Sequence, residues 1–263
     1  MGDGAQEYKV LDAGYIKFIE AWGSDSKIIE AARMSTAKGF LGWGPIHEEW
    51  CQQHPQYHES GCKPKAGDEK LLRYLWMHKH YTPFEMAGMI VEVQAPLFVA
   101  REWMRHRASS YTEDDYSEAS YNELSARYTE LPNLFYIPSV ERLRNSRQSH
   151  MNKQGSAEGF TEKDAFALQG ELVYATTQAR IAYKRLLAME VSREVSRLIV
   201  PVNQYTRFRV SASLRNWLHF LGLRLGEGVQ WEMAEYARAI AHLVEKKFPR
   251  TWALFAEANE KEQ

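Results

Sequence analysis

The sequence predicts an α+β fold in one domain, and three observations carry that expectation. Short runs of β-prone residues and longer segments with helical spacing both occur along the chain. No internal repeat and no clear linker divides its 263 residues. Its 44% hydrophobic and 25% charged residues are those of an ordinary globular protein able to bury a substantial core. The expectation is therefore a single domain over residues 1–263.

Taken in order, residues 8–20 read as a short strand and a turn. Ser24 and Ser26 can cap a helix running through Ile28 to Arg33. Residues 38–66, rich in Gly, Pro, His and Trp without periodicity, read as a long loop of the kind that is usually functional or mobile. Residues 69–79 place apolar groups at helical spacing. Thr82-Pro83-Phe84-Glu85 suggests a helix start, with Thr82 as N-cap, Pro83 at N1 and Glu85 reaching back as in a capping box. Met89 to Val93 is β-prone and stops near Pro96. Leu97 to Arg107 reads as a helix with Phe98, Arg101 and Arg105 on neighbouring turns. A helix over 183–200 ends at Pro201, and Gln204 to Ser213 reads as a strand. Leu214 to Leu225 is helical and exits through Gly226 and Gly228. Val229 to Phe248 reads as the longest amphipathic helix, stopping at Pro249.

Composition narrows the function. A net charge of −1 provides no global field for nucleic acid, so any anion site is local. No stretch approaches the roughly 18 to 20 apolar residues of a membrane span, and MGDGAQEYKV has no basic-then-apolar leader. A cytoplasmic location is expected. The two cysteines, Cys51 and Cys62, make no disulfide framework. With His54 and His58 they form C-x2-H-x3-H-x3-C, which has the ligand types for zinc but no finger spacing. An unliganded loop, with no metal, is the preferred reading.

Several constellations carry chemistry. Arg105-His106-Arg107 is costly to bury without an anion. Its plain reading is a solvated helix C-terminus; its functional reading is a cradle for phosphate or an electron-rich ring. Asn122-Glu123-Leu124-Ser125-Ala126-Arg127 is a polar turn or a phosphate nest. Ser125 has no nearby base, which argues against a serine nucleophile. Arg197 occupies an apolar turn and needs a partner. Arg215 and His219 share a helix face, and Arg224 sits at a helix end. Residues 111–120 carry four acids and read as a solvated flap.

These blocks resemble the flavin-dependent thymidylate synthase family. Arg105-His106-Arg107 and Asn122-Glu123-Leu124-Ser125-Ala126-Arg127-Tyr128 match both halves of its R-H-R and N-E-x-S-x-R-Y signature. His80-Tyr81-Thr82-Pro83-Phe84-Glu85, Ala95 to Arg101, Phe135 to Pro138, Arg193-Glu194-Val195, Tyr205 to Phe208, Leu221 to Arg224 and Gln230-Trp231-Glu232 follow in family order. The resemblance implies a mainly antiparallel sheet packed with helices, and a homotetramer with composite sites. It implies FAD-dependent C5 methylation of dUMP, with methylenetetrahydrofolate as carbon donor and NADPH as reductant. By position, Glu102, Arg105, Glu123, Leu124, Ser125, Ala126, Arg127, Arg197 and Arg224 would bind the nucleotide. Arg224 and Ser125 are the catalytic candidates, Arg224 by favouring the ionised uracil. Thr82, Arg105, His106, Arg107, Glu123, Ser213, Arg215 and His219 would hold FAD, with His80 at the folate or nicotinamide face.

The chain departs from the family pattern at four places. Seventeen residues rather than seven separate Arg107 from Ser125. Glu102 stands for a usual glutamine, Ser213 for asparagine and Gly228 for histidine. Glu102 and the insert motivate an alternative acceptor, UMP, in modified-nucleoside biosynthesis, because a carboxylate can accept from a 2′-hydroxyl. A flavin-binding protein that has lost catalysis through the insert is another reading. A nucleic-acid-binding module is the alternative of a different class, opposed by the near-neutral charge.

Overall fold

The computed structural model describes residues 6–43, 67–106, 120–150, 155–226 and 228–262. The chain forms two compact units. One comprises Met1–Ile19, Ile90–Ser211 and Phe220–Ala241; the other comprises Glu20–Met89, Ala212–His219 and His242–Gln263. Strands β1 (Glu7–Val10), β2 (Gly14–Trp22), β3 (Gly88–Pro96), β4 (Ser120–Glu123) and β7 (Tyr205–Ser213) form a sheet in the order β1-β2-β3-β7-β4. β1 and β2 pair antiparallel, Glu7 opposite Lys17, as do β4 and β7, Glu123 opposite Phe208. The strand and turn expected over 8–20 are this first hairpin. Along β3 burial alternates, Val91, Val93 and Ala95 inward and Glu92 and Gln94 less so, the period-two signature of a sheet with one covered face.

In the first unit β3 runs into helix α3 (Leu97–Met104), which buries Val99, Ala100 and Trp103. The Trp103 ring stacks on Phe220 at 4.8 Å and meets Phe208 and Tyr236 edge-on at 5.6 and 6.3 Å. Such pairs add to the area they bury. Gly14 permits close approach: a Cβ there would lie 1.9 Å from the Tyr236 hydroxyl. That hydroxyl donates to the Gln94 carbonyl at 2.6 Å. A short pair, β5 (Arg147–Gln148) and β6 (Ser156–Ala157), follows the small helix α4 (Val140–Arg144).

The second unit begins with α1 (Asp25–Arg33), whose N-cap Ser24 accepts from the Lys27 amide at 3.3 Å, as the sequence suggests. Helix α2 (Glu69–Met77) lies where helical spacing places it. Buried Asp25 accepts from the Arg250 and Thr251 amides at 2.9 and 3.2 Å and from the Thr251 hydroxyl at 2.6 Å. It thereby caps α9 (Pro249–Glu262) with a negative charge at the positive end of its dipole.

Four local expectations need correction. Thr82 is not an N-cap: it opens a 3-10 turn, Thr82–Met86, with Tyr81 in the cap position and no side-chain cap bond. Glu85 pairs with Arg215 instead of reaching back. The helix over 183–200 is α5 (Glu162–Ala188), then a break, then α6 (Arg193–Ser196) and a 3-10 turn Arg197–Ile199. Glu190, at φ 59, breaks the helix with neither glycine nor proline to announce it. α5, at 27 residues, exceeds α8 (Trp231–Lys247) at 17. Finally, Pro249 does more than stop α8, because its fixed φ also starts α9.

Candidate active site

Helix α3 follows directly from β3, and the turn is tied by backbone bonds from the Leu97 amide to the Gln204 carbonyl and from Phe98 to Val202. One face of α3, carrying Leu97, Ala100, Arg101 and Met104, lines a cavity of about 580 Å³. Glu123, Leu124, Ser125, Ala126, Arg197, Gln204 and Thr206 complete much of its wall. These are five of the residues expected at the nucleotide: Glu123, Leu124, Ser125, Ala126 and Arg197.

The wall is polar and locally ordered. Glu123 accepts from the Thr206 hydroxyl at 2.6 Å, and the Leu124 amide donates to the Arg207 carbonyl at 2.8 Å. The Ser125 hydroxyl accepts from the Arg127 amide at 3.3 Å, and its carbonyl accepts from Tyr128 and Thr129. The expected nest is therefore narrowed, because the Arg127 amide is used within the turn; the Ser125 and Ala126 amides are not used in these bonds. Arg101 and Arg197 form no ion pair among the described residues. An anion is the natural counterpart of two such guanidiniums on one cavity. Arg101, placed on a helical turn by the sequence and standing in the block Ala95 to Arg101, was not expected at the nucleotide; its signal is the four-residue step from Leu97 that puts it on the same helix face.

The other expected nucleotide residues lie elsewhere. Arg127 is exposed and pairs with Glu194 at 3.4 Å. Arg105 is exposed at the C-cap of α3. Glu102 points away from the cavity face and meets Arg224, at the end of helix α7 (Leu214–Arg224). Arg224 Nη1 is 3.0 Å from Glu102 Oε1, and Nη2 donates to the Glu102 carbonyl at 3.3 Å. The buried Arg224 Nε has no hydrogen-bond partner among the described residues. Burial pushes the Glu102 carboxyl above its ordinary range; Arg224 opposes this and the Glu232 carboxylate adds to it. Glu232 is held by Arg142, Nε to Oε1 at 2.8 Å, and by the Tyr136 hydroxyl at 3.2 Å. His106 is buried with its ring 5.4 Å from Phe220, and its carbonyl accepts from the Tyr121 hydroxyl.

In the second unit, Arg215 pairs with Glu85 and lies 5.6 Å over the Tyr81 ring. Exposed Thr82 adjoins this turn, and exposed His219 follows Arg215 by one helical turn. Ser213 accepts from the Asn216 amide at 3.4 Å, so its hydroxyl caps α7. His80 is exposed, with its ring 5.7 Å from Tyr74 and 6.2 Å from His78. Arg107, the acidic residues 111–119 and the Cys51, His54, His58 and Cys62 set lie outside the described residues, as does any metal site there. Among the described residues no cluster suits a metal ion, and no helix is long and apolar enough to cross a membrane.

Residues 17–250 match the family model described as thymidylate synthase complementing protein. The chain belongs to this family. Its relatives include the flavin-dependent thymidylate synthase of Thermus thermophilus, 36% identical over 255 residues, 97% of this chain and 80% of that protein. The enzyme of the same name from Wolbachia pipientis wMel is 35% identical over 252 residues, covering 96% and 77%. Among solved structures, the UMP/dUMP methylase PolB of Streptomyces cacaoi bound with 5-Br dUMP superposes with a TM-score of 0.73. It is 26% identical, with 95% of this chain and 97% of that one covered. The α+β class expected from the sequence is that of the family.

Proposed function

We propose that this family member methylates C5 of deoxyuridylate, using FAD, with methylenetetrahydrofolate as carbon donor and NADPH as reductant. The observation that carries the reading is the cavity on α3, which Arg101 and Arg197, without ion pairs among the described residues, line together with Ser125. A nucleotide monophosphate supplies the missing anion. In this reading Arg197, the Ser125 hydroxyl and the neighbouring amides hold phosphate. Arg224 donates to the pyrimidine oxygens and stabilises charge that develops on the ring. Ser125 positions the nucleotide and needs no base.

The donor set also fits a flavin dinucleotide. In the first unit exposed Arg105 offers a planar cationic fork suited to a phosphate, with His106 assigned by position; in the second, Arg215 offers another fork, exposed Thr82 a hydroxyl and exposed His219 a ring nitrogen. Arg107, Glu123 and Ser213 complete the set by position. Bound FAD supplies the redox chemistry, while the protein supplies binding and orientation. His80, exposed among aromatic rings, is assigned to the folate or nicotinamide face.

Arg101, Ala100 and Leu97 lie on one face of α3, whereas Glu102 with Arg224 lies on another. That separation supports nucleotide sites completed by a second copy of the chain, in a homotetramer. Exposed Phe166 and Tyr174 on α5, with 70% and 64% of their surfaces free, support burial of that helix between copies.

UMP remains the second acceptor, favoured by the Glu102 carboxylate and by the name of the methylase from Streptomyces cacaoi. The test is product mass after incubation with FAD, NADPH and methylenetetrahydrofolate, offering dUMP and UMP together. One methylene gained on dUMP supports the main reading, and gain mainly on UMP selects the second. No gain on either, with flavin bound, overturns both.

A further inference from the structure

The Glu102–Arg224 pair is more than a surface contact. The two side chains are only 22% and 20% exposed, and the guanidinium is held twice by the same residue, at carboxylate and carbonyl. Of the other Arg224 donors, Nε–H is buried without a partner among the described residues. An arginine so arranged has both Nη atoms engaged by Glu102 and a buried Nε–H left over for a ligand. Among the described residues, the charged groups facing Glu102 are Arg224 from α7 and Glu232 from α8. Glu232 is itself neutralised by Arg142.

The charges balance in the free enzyme: two carboxylates, Glu102 and Glu232, against two guanidiniums, Arg224 and Arg142. A pyrimidine edge presents carbonyl oxygens, and where it takes the Nη1 and Nη2 donors of Arg224 it competes for them with Glu102. The carboxylate would then be left half-buried beside Glu232 without its cation. A group in that position becomes neutral rather than remain an unpaired buried charge.

We propose that Glu102 is a positioning residue: its carboxylate holds Arg224 in place in the free enzyme, then releases the guanidinium to the pyrimidine by taking one proton from solvent. The inference rests on the proposed nucleotide activity and deepens it. The proton is added to a Glu102 oxygen and no other bond forms or breaks. Arg224 then carries its full charge towards the ring, undivided by a neighbouring anion. A glutamine at this position would pair with Arg224 weakly and could not titrate, so this chain gains a pH dependence that a glutamine enzyme lacks. Burial of the Glu102 carboxyl already pushes it in the required direction.

The test is calorimetric. The FAD-loaded full-length enzyme is titrated with dUMP between pH 5 and 8.5 in buffers of differing ionisation enthalpy, which reports protons taken up per nucleotide. E102Q and E102D are titrated alongside. Titration of the dUMP phosphate is common to all three and cancels in the difference between wild type and E102Q. The expected result is an excess uptake approaching one proton in wild type over E102Q, with E102D retaining it. Over that window the wild-type Kd rises relative to E102Q by up to about tenfold per pH unit, the slope of a one-proton linkage. Equal uptake in wild type and E102Q at every pH overturns the inference, as does an excess that E102D also lacks. Failure of wild type to bind dUMP overturns the proposed activity and this inference with it. Tight binding with no excess uptake overturns only the inference.

Discussion

Replacing Arg142 with methionine removes the cation that neutralises Glu232. Arg142 donates from Nε to Oε1 at 2.8 Å and from Nη2 to Oε2 at 3.4 Å, and the two side chains are 14% and 5% exposed. After the change Glu232 keeps two neutral donors, the Tyr136 hydroxyl and the Gln230 amide, each at 3.2 Å. Breaking a buried pair from one side costs about 3–5 kcal/mol, and partial solvent access to Arg142 places this one near about 3 kcal/mol. At about 2–4 °C per kcal/mol for chains of this size, the melting temperature should fall by about 6–12 °C. The assay is thermal denaturation at pH 7 of wild type, R142M, E232L and the double variant. The double variant should melt above R142M, because it buries no unpaired carboxylate. If R142M melts within about 1 °C of wild type, an ordinary surface-substitution effect, the buried-charge argument is wrong. If the two single losses simply add, the residues are not energetically coupled.

Three further outcomes follow from the geometry. Asp25→Ala removes the acceptor of three bonds at the start of α9 and should lower stability by about 2–3 kcal/mol, with Asp25→Asn recovering part of it, as read by denaturant midpoints. Arg101→Ala and Arg197→Ala should each weaken dUMP binding at least about tenfold while circular dichroism is unchanged, and equal affinity in both would remove the cavity from the proposed site. Burial pushes Tyr121 up to about 12 from its ordinary 10, so the unfolded chain releases this proton at lower pH than the folded one. Stability from this group is complete below about pH 10 and is lost as pH rises from there through about 12; Tyr121→Phe should flatten alkaline melting curves over that window.

The first hairpin, the Ser24 cap, β3 and β7 were legible because each rests on a local rule: alternation, capping oxygen, or a proline stop. α5 was not, although Thr161 and Asp164 form a capping box at its start. Its apolar side chains leave no single stripe, with Phe166, Leu172, Val173, Tyr174 and Ile181 all exposed, so periodicity does not mark it. The break at Glu190 depends on a left-handed residue that no glycine betrays. At the site, chemistry was more legible than placement. The motif residues Glu123 to Ala126 and Arg197 do converge on one cavity, because β4 and the turn after α6 flank α3. Arg101 was overlooked because its block reads as apolar helix. The pairing of Glu102 with Arg224 could not be foreseen, since the two are far apart in sequence and meet only through packing of α3 against the end of α7.

α3 consists of eight residues, Leu97–Met104, and Trp103 anchors it among Phe220, Phe208 and Tyr236. Its cavity side and its Glu102 side therefore belong to one stiff lever with an aromatic fulcrum. A bulkier residue at Ala100, introduced to reshape the cavity for another acceptor, would tilt the lever and disturb the distant carboxylate contact as well. Changes of substrate preference along this helix should consequently come as sets of coordinated substitutions, on both sides of the fulcrum, rather than singly.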